Sequence, residues 1–85
     1  MSDFEGVTKG MMVAYFPSEE ENKRMKMVGN EAEWLPAMVV AVWSHECVNL
    51  LVFPDGNGGI IWKTSVQKIN PALPKEMRWN FMYNV

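Results

Sequence analysis

The apolar residues of this chain fall in short runs rich in β-formers and bounded by turn residues, some of them alternating with period two, and that pattern predicts a β protein. Residues 10–16, GMMVAYF, are the first expected strand, rich in β-formers and stopped by Pro17. Residues 35–43, LPAMVVAVW, are nearly all apolar, as suits a strand covered on both faces, with Pro36 tolerated near its start. After a tight turn over 44–46, residues 47–53, CVNLLVF, predict a third strand. Alternation puts Val48, Leu50 and Val52 on one of its faces and Asn49, Leu51 and Phe53 on the other.

The run PDGNGG at 54–59 is the clearest turn signal in the chain, because several of its positions take positive φ at little cost. It predicts a hairpin returning into a strand at 60–64, IIWKT. In SVQKINP, Val66 and Ile69 stand three apart and predict a single helical turn sealing the core. Pro71 and Pro74 then break the chain. From Glu76 the sequence EMRWNFMYNV alternates Met77, Trp79, Phe81 and Tyr83 against Arg78, Asn80 and Met82, which predicts a last strand. Two stretches lack such a pattern: residues 1–9 read as a polar lead-in, and residues 18–33, with eight charges and Gly29, as a long solvated loop or a short helix.

With 85 residues the chain can support one core, so the expectation is a single domain over 1–85, its barrel core about 9–70 and an aromatic C-terminal segment over 75–85. Hydrophobic residues at 48% exclude disorder as the general state. The single cysteine, Cys47, excludes an internal disulfide. Cys47 and the only histidine, His45, fall short of the four ligands of a structural zinc site, so no metal or other cofactor is expected. A net charge of −2 with scattered basic residues argues against nucleic acid, which needs a concentrated positive surface. No apolar run approaches about 18 residues and no charged stretch leads into an apolar one, so neither a membrane span nor a signal peptide is expected. A cytoplasm is the expected address.

A Gly-led strand, a long loop, a W-x-P-A-x-V strand, an apolar strand ending in F-x-D-G, a short strand and an apolar plug together resemble an SH3-like barrel of about five strands, and locally a Tudor-type domain. The residues that carry the likeness are Gly10, Val13, Ala14, Phe16, Trp34, Ala37, Val39, Phe53, Asp55, Gly56, Val66 and Ile69. The resemblance covers roughly residues 9–70 and implies an all-β small barrel. Tudor-type domains that bind methylated Lys or Arg use an aromatic cage. Here Trp34 and Phe53 fall on cage-like positions, but Leu35 replaces a second aromatic and Asp55 runs directly into Gly56, so the cage does not carry over. The stretch PAMVVAVWSHECVNLLVFPDG followed by WKTSV also resembles a group of small proteins of tailed bacteriophages and prophages. That likeness spans residues 36–66 and implies a bacterial host cytoplasm, or alternatively a virion, without supplying site residues.

Candidate chemistry is thin. His45 and Cys47 share a strand face at i and i+2, as a thiolate and base would, yet a turn histidine beside a strand cysteine is the commoner arrangement. Asp55 is the one acid in its glycine-rich loop, has no phosphate-loop pattern around it, and reads as a turn residue. The acidic cluster at 19–21 is followed by Lys23, Arg24 and Lys26 and reads as a solvated, internally paired loop. No catalytic residues are assigned and an enzyme is not expected.

The more informative feature is excess apolar surface. Residues 35–43 and 47–53 are apolar on both faces, whereas a small closed barrel buries only its inner face. Something must cover the outside. The expectation is a protein-binding module, homo-oligomeric, with Trp43, Trp62, Trp79, Phe81 and Tyr83 as contact residues, since Trp and Tyr are enriched in interface hot spots. With the phage-type resemblance, this points to binding and inhibiting a host or anti-phage defence protein. A virion structural or assembly component is the first alternative and a strand-binding nucleic-acid barrel the second.

Overall fold

The computed structural model describes residues 6–21, 33–54 and 59–85. The expected all-β fold is what forms: β1 (Met12–Phe16), β2 (Leu35–Val42), β3 (Cys47–Val52), β4 (Ile61–Lys68) and β5 (Arg78–Phe81) close into a barrel in that order, followed by a 3-10 turn, Met82–Asn84. This small five-strand barrel is compatible with the SH3-like architecture.

Parity dictates one property of the closure. Strands that follow each other antiparallel around a ring of five must meet at one parallel seam. Here β1–β2, β2–β3, β3–β4 and β1–β5 are antiparallel and β4–β5 is parallel. Parallel neighbours ordinarily need a crossover of a dozen or more residues. Only residues 69–77 intervene here, because β5 is staggered and begins beside the end of β4, with Gln67 opposite Arg78 and Lys68 opposite Trp79. Pro71 and Pro74 lie in this link.

The core follows from alternation. Val13 and Tyr15, Leu35, Ala37 and Val39, then Val48, Leu50 and Val52, Val66, and Trp79 with Phe81 point inward, joined by Val7 from the lead-in. Trp79 has no accessible surface and meets Phe81 edge-on at 5.1 Å between ring centres. A buried indole needs a partner for its N–H. Trp79 Nε1 donates to the Glu46 carbonyl at 3.0 Å, which also accepts Lys68 N–H at 2.7 Å, so the bend before β3 is tied to the seam. At the other side of Phe81, Gly6 sits at φ 92°, where a side chain would meet the ring edge at 3.1 Å.

The expected helical turn over Val66 and Ile69 does not form. β4 instead continues to Lys68, because a bulge opposite Asn49 absorbs the irregularity. Asn49, a buried polar side chain, uses its Oδ1 to accept Ser65 N–H at 2.8 Å and Trp43 Nε1 at 2.9 Å. Ser65 takes φ 52° and Val66 returns to the core. The bend between β2 and β3 is set by Ser44, whose Oγ accepts the Glu46 and Cys47 amides, while Cys47 O accepts Trp43 N–H.

Of the charged segment after β1, the described ends are residues 18–21 and 33. Ser18 and Glu21 form a capping box: Glu21 N–H donates to Ser18 Oγ at 3.1 Å and Ser18 N–H to Glu21 Oε1 at 3.0 Å. Glu21 also pairs with Lys63, 2.6 Å away on β4, across 42 residues of sequence. The expected pairing of this acid cluster with Lys23, Arg24 and Lys26 lies outside the described residues, as does the hairpin tip at 55–58.

Candidate binding surface

Registers around the barrel align the outward side chains into rows. Met12 pairs with Met38, Met38 with Leu51, and Leu51 with Trp62, so one apolar row crosses four strands on the outer face. Met12 is 43% exposed and Trp62 62%, with Met38 and Leu51 half-buried between them. Trp43 joins this face: its indole reaches Asn49, two residues from Leu51, while its ring stays 62% exposed. One step along, Ala14 pairs with Pro36, and Phe53 donates its N–H to Pro36 O at 2.9 Å. Ile60, exposed, precedes β4 at this level.

The five expected contact residues divide. Trp43, Trp62 and Tyr83 stand at the surface, the last stacked on Phe81 at 5.1 Å. Trp79 and Phe81 do not, and their expected role as contacts is corrected: both point into the core. Period-two alternation identifies a strand but not which face is inside. The tail forms the expected last strand, β5, paired with β1. One signal for this was available. The other inward positions carry Val, Leu, Ala and one Tyr, which leaves the barrel centre to be filled by a large ring.

A second residue group lies at one mouth of the barrel. Tyr15 Oη donates to Glu21 Oε1 at 2.7 Å, and the Lys63 ammonium lies 5.9 Å from the centre of the Tyr15 ring. Burial, then the bond to Glu21 and its charge, push the Tyr15 hydroxyl far above the usual phenol range. Burial alone would raise the Glu21 carboxyl, but Lys63, the Ser18 amide and the Tyr15 hydroxyl outweigh it and hold the group below its ordinary value. Every member is engaged by another, so this group acts as a lock between the segment after β1 and β4.

No family model, curated protein or solved structure matches the chain.

His45 is exposed at the bend and Cys47 half-buried at the start of β3. Trp34 lines a 190 Å³ cavity with Phe16, Glu33, Ile69 and Lys75, and Phe53 is not on its wall. Lys75 there bonds Glu33 at 3.0 Å and lies 5.3 Å from the centre of the Phe16 ring. Among the described residues no three His, Cys, Asp or Glu side chains gather as metal ligands, and no helix is long and apolar enough to cross a membrane.

Proposed function

We propose that this chain is a non-enzymatic protein-binding module that self-associates and docks through the outer face of its barrel. The observation that carries the proposal is the in-register row Met12, Met38, Leu51 and Trp62, with Trp43 beside it. An apolar row exposed at both ends loses water contact favourably against another protein surface, and Trp is the residue type that most often dominates such contacts. The resemblance of residues 36–66 to small phage proteins supports a bacterial setting, with a host or anti-phage defence protein as the partner and its cytoplasm as the place of action. Tyr83, exposed at the C-terminal end, remains in the proposed contact set; Trp79 and Phe81 do not.

Light scattering and pull-down from bacterial lysate test the reading together. The wild type is expected to run as an oligomer and to capture a discrete protein, and a Met12→Lys, Trp62→Lys double variant to be monomeric and to capture nothing. A wild type that stays monomeric at high concentration and whose captured proteins are the same as the variant's would defeat it.

A further inference from the structure

The seam between β4 and β5 zips over two rungs, at residues 67 and 68 of β4, and the rest of β4 has no strand paired to it on that side among the described residues. The phase of the ladder says which groups are left over. Phe53 N–H points at β2, so Leu51 does too, and Leu50 and Val52 therefore point at β4. Their partners Lys63 and Ile61 face β3, which directs the backbone N–H and C=O of Trp62 and Thr64 into the open seam. Along this edge runs a groove of about 370 Å³ lined by Trp62, Lys63, Thr64, Ser65, Val66 and Met77. That volume is within the range of ligand clefts.

Backbone strain collects at the same place. Ser65 at φ 52° and Met77 at φ 60° are the two non-glycine residues of the described chain with positive φ, and both line the groove. Met77 is where the chain arriving at β5 turns away from β4 and donates its N–H to Phe16 O instead. Residues held in the left-handed region persist where the surroundings enforce them, and they cluster at binding and switch sites.

We propose that this splayed seam is a β-augmentation site that takes one extended segment of a partner polypeptide, seated beside Trp62 and Thr64 where a longer β5 would lie. Main-chain donors and acceptors with no ladder partner among the described residues select an amide backbone, and the walls formed by Trp62 and Met77, both more than half exposed, select a neutral apolar side chain. A second copy of the barrel is the poorer occupant. The bulge at Ser65 and the inward-pointing charge of Lys63 are devices that keep an edge strand from pairing with another sheet edge, whereas a lone segment has no barrel behind it to clash. The inference rests on the protein-binding reading and names its partner's chemistry.

The test selects short random peptides from a display library against the folded wild type and measures the affinity of synthetic copies. Enriched peptides are expected to alternate apolar and polar residues. Thr64→Pro, which removes an edge donor at a position where proline suits an edge strand, is expected to weaken them by about tenfold or more. N-methylation of one alternate set of peptide amides is expected to weaken binding to unaltered protein similarly, and methylation of the other set to be tolerated. Met12→Lys, on the outer row but off the groove, is expected to leave peptide affinity within about twofold. No enrichment, affinity indifferent to Thr64→Pro and to methylation, or a dimer of the free chain abolished by Thr64→Pro would each overturn the proposal. Because the lysate and mass measurements on the Met12→Lys, Trp62→Lys variant are independent of Thr64, the broader binding reading can stand when this one fails.

Discussion

Two regions flank the C-terminal end of this barrel wall, and they are built on opposite terms. On one side β5 pairs with β1 over four residues, its Trp79 fills the centre of the core, and the indole N–H is fixed to the Glu46 carbonyl. On the other side the same strand pairs with β4 over two rungs, and among the described residues no strand pairs with the first part of β4 on that edge, beside two residues at positive φ. The stagger that lets nine residues replace a full crossover produces both. It brings Trp79 level with Lys68, where the bend before β3 can reach it, and it withdraws the chain from Trp62 and Thr64. Stability is therefore concentrated on the closed side, and the open side is left comparatively free to vary.

The sharpest way to break that contrast is Trp79→Ala. Truncating a buried Trp costs about 3–5 kcal/mol, and here it also leaves the Glu46 carbonyl with one donor fewer. For a domain whose whole stability is about 5–15 kcal/mol, that is a large share. At about 4–8 °C per kcal/mol, the melting temperature should fall by more than about 12 °C, read by near-ultraviolet circular dichroism. Trp62→Ala, on the open side, should cost less than about 1 kcal/mol. If the two variants melted together, the division between closed and open sides would be wrong.

A smaller effect comes from the Glu21, Tyr15 and Lys63 lock, which joins the segment after β1 to the open half of β4. Its pair is about one-fifth exposed, so Glu21→Gln should fall between a surface pair and a fully buried one, at roughly 1–3 kcal/mol. The pH dependence has a definite sign at each end. Glu21 is held below its unfolded value of about 4.3, so its contribution is present above that pH and disappears as pH falls through the folded value. Tyr15 is raised, so its contribution is present below about pH 10 and declines as pH rises beyond that. Urea unfolding across pH should show Glu21→Gln flattening the acid limb and Tyr15→Phe the alkaline limb. An acid limb unchanged in Glu21→Gln would remove this lock from the account.

The strands and the faces of β3 were legible from residue order because Val48, Leu50 and Val52 alternate cleanly and PDGNGG punctuates the hairpin. Two features were not. The continuation of β4 past Thr64 depends on Asn49 holding the Ser65 amide, a contact between residues 16 apart that no local pattern encodes. The inward face of β5 depends on what the other four strands leave unfilled, which is a property of the closed ring. For the candidate surface, Trp43 and Trp62 could be picked out as aromatic, but the row that joins Trp62 to Met12 exists only through three registers. The open seam is further still from the sequence, since it follows from stagger rather than from any residue type.

Ser65 sharpens the comparison with the smallest expected change. The left-handed conformation costs an ordinary L-residue about 1–2 kcal/mol, which Ser65 bears at φ 52°. Glycine would relieve that cost but would add freedom to the unfolded chain worth about 0.4–1 kcal/mol. Ser65→Gly should therefore range from neutral to stabilising by about 1.6 kcal/mol. Ser65→Val, branched at Cβ, should be destabilising, because the Asn49 bond fixes the backbone and prevents escape to negative φ. Urea midpoints for the pair separate the possibilities. A glycine variant that lost more stability than the valine one would mean that Ser65 is not strained, and the open seam would then lack one of the two features that distinguish it from the closed side.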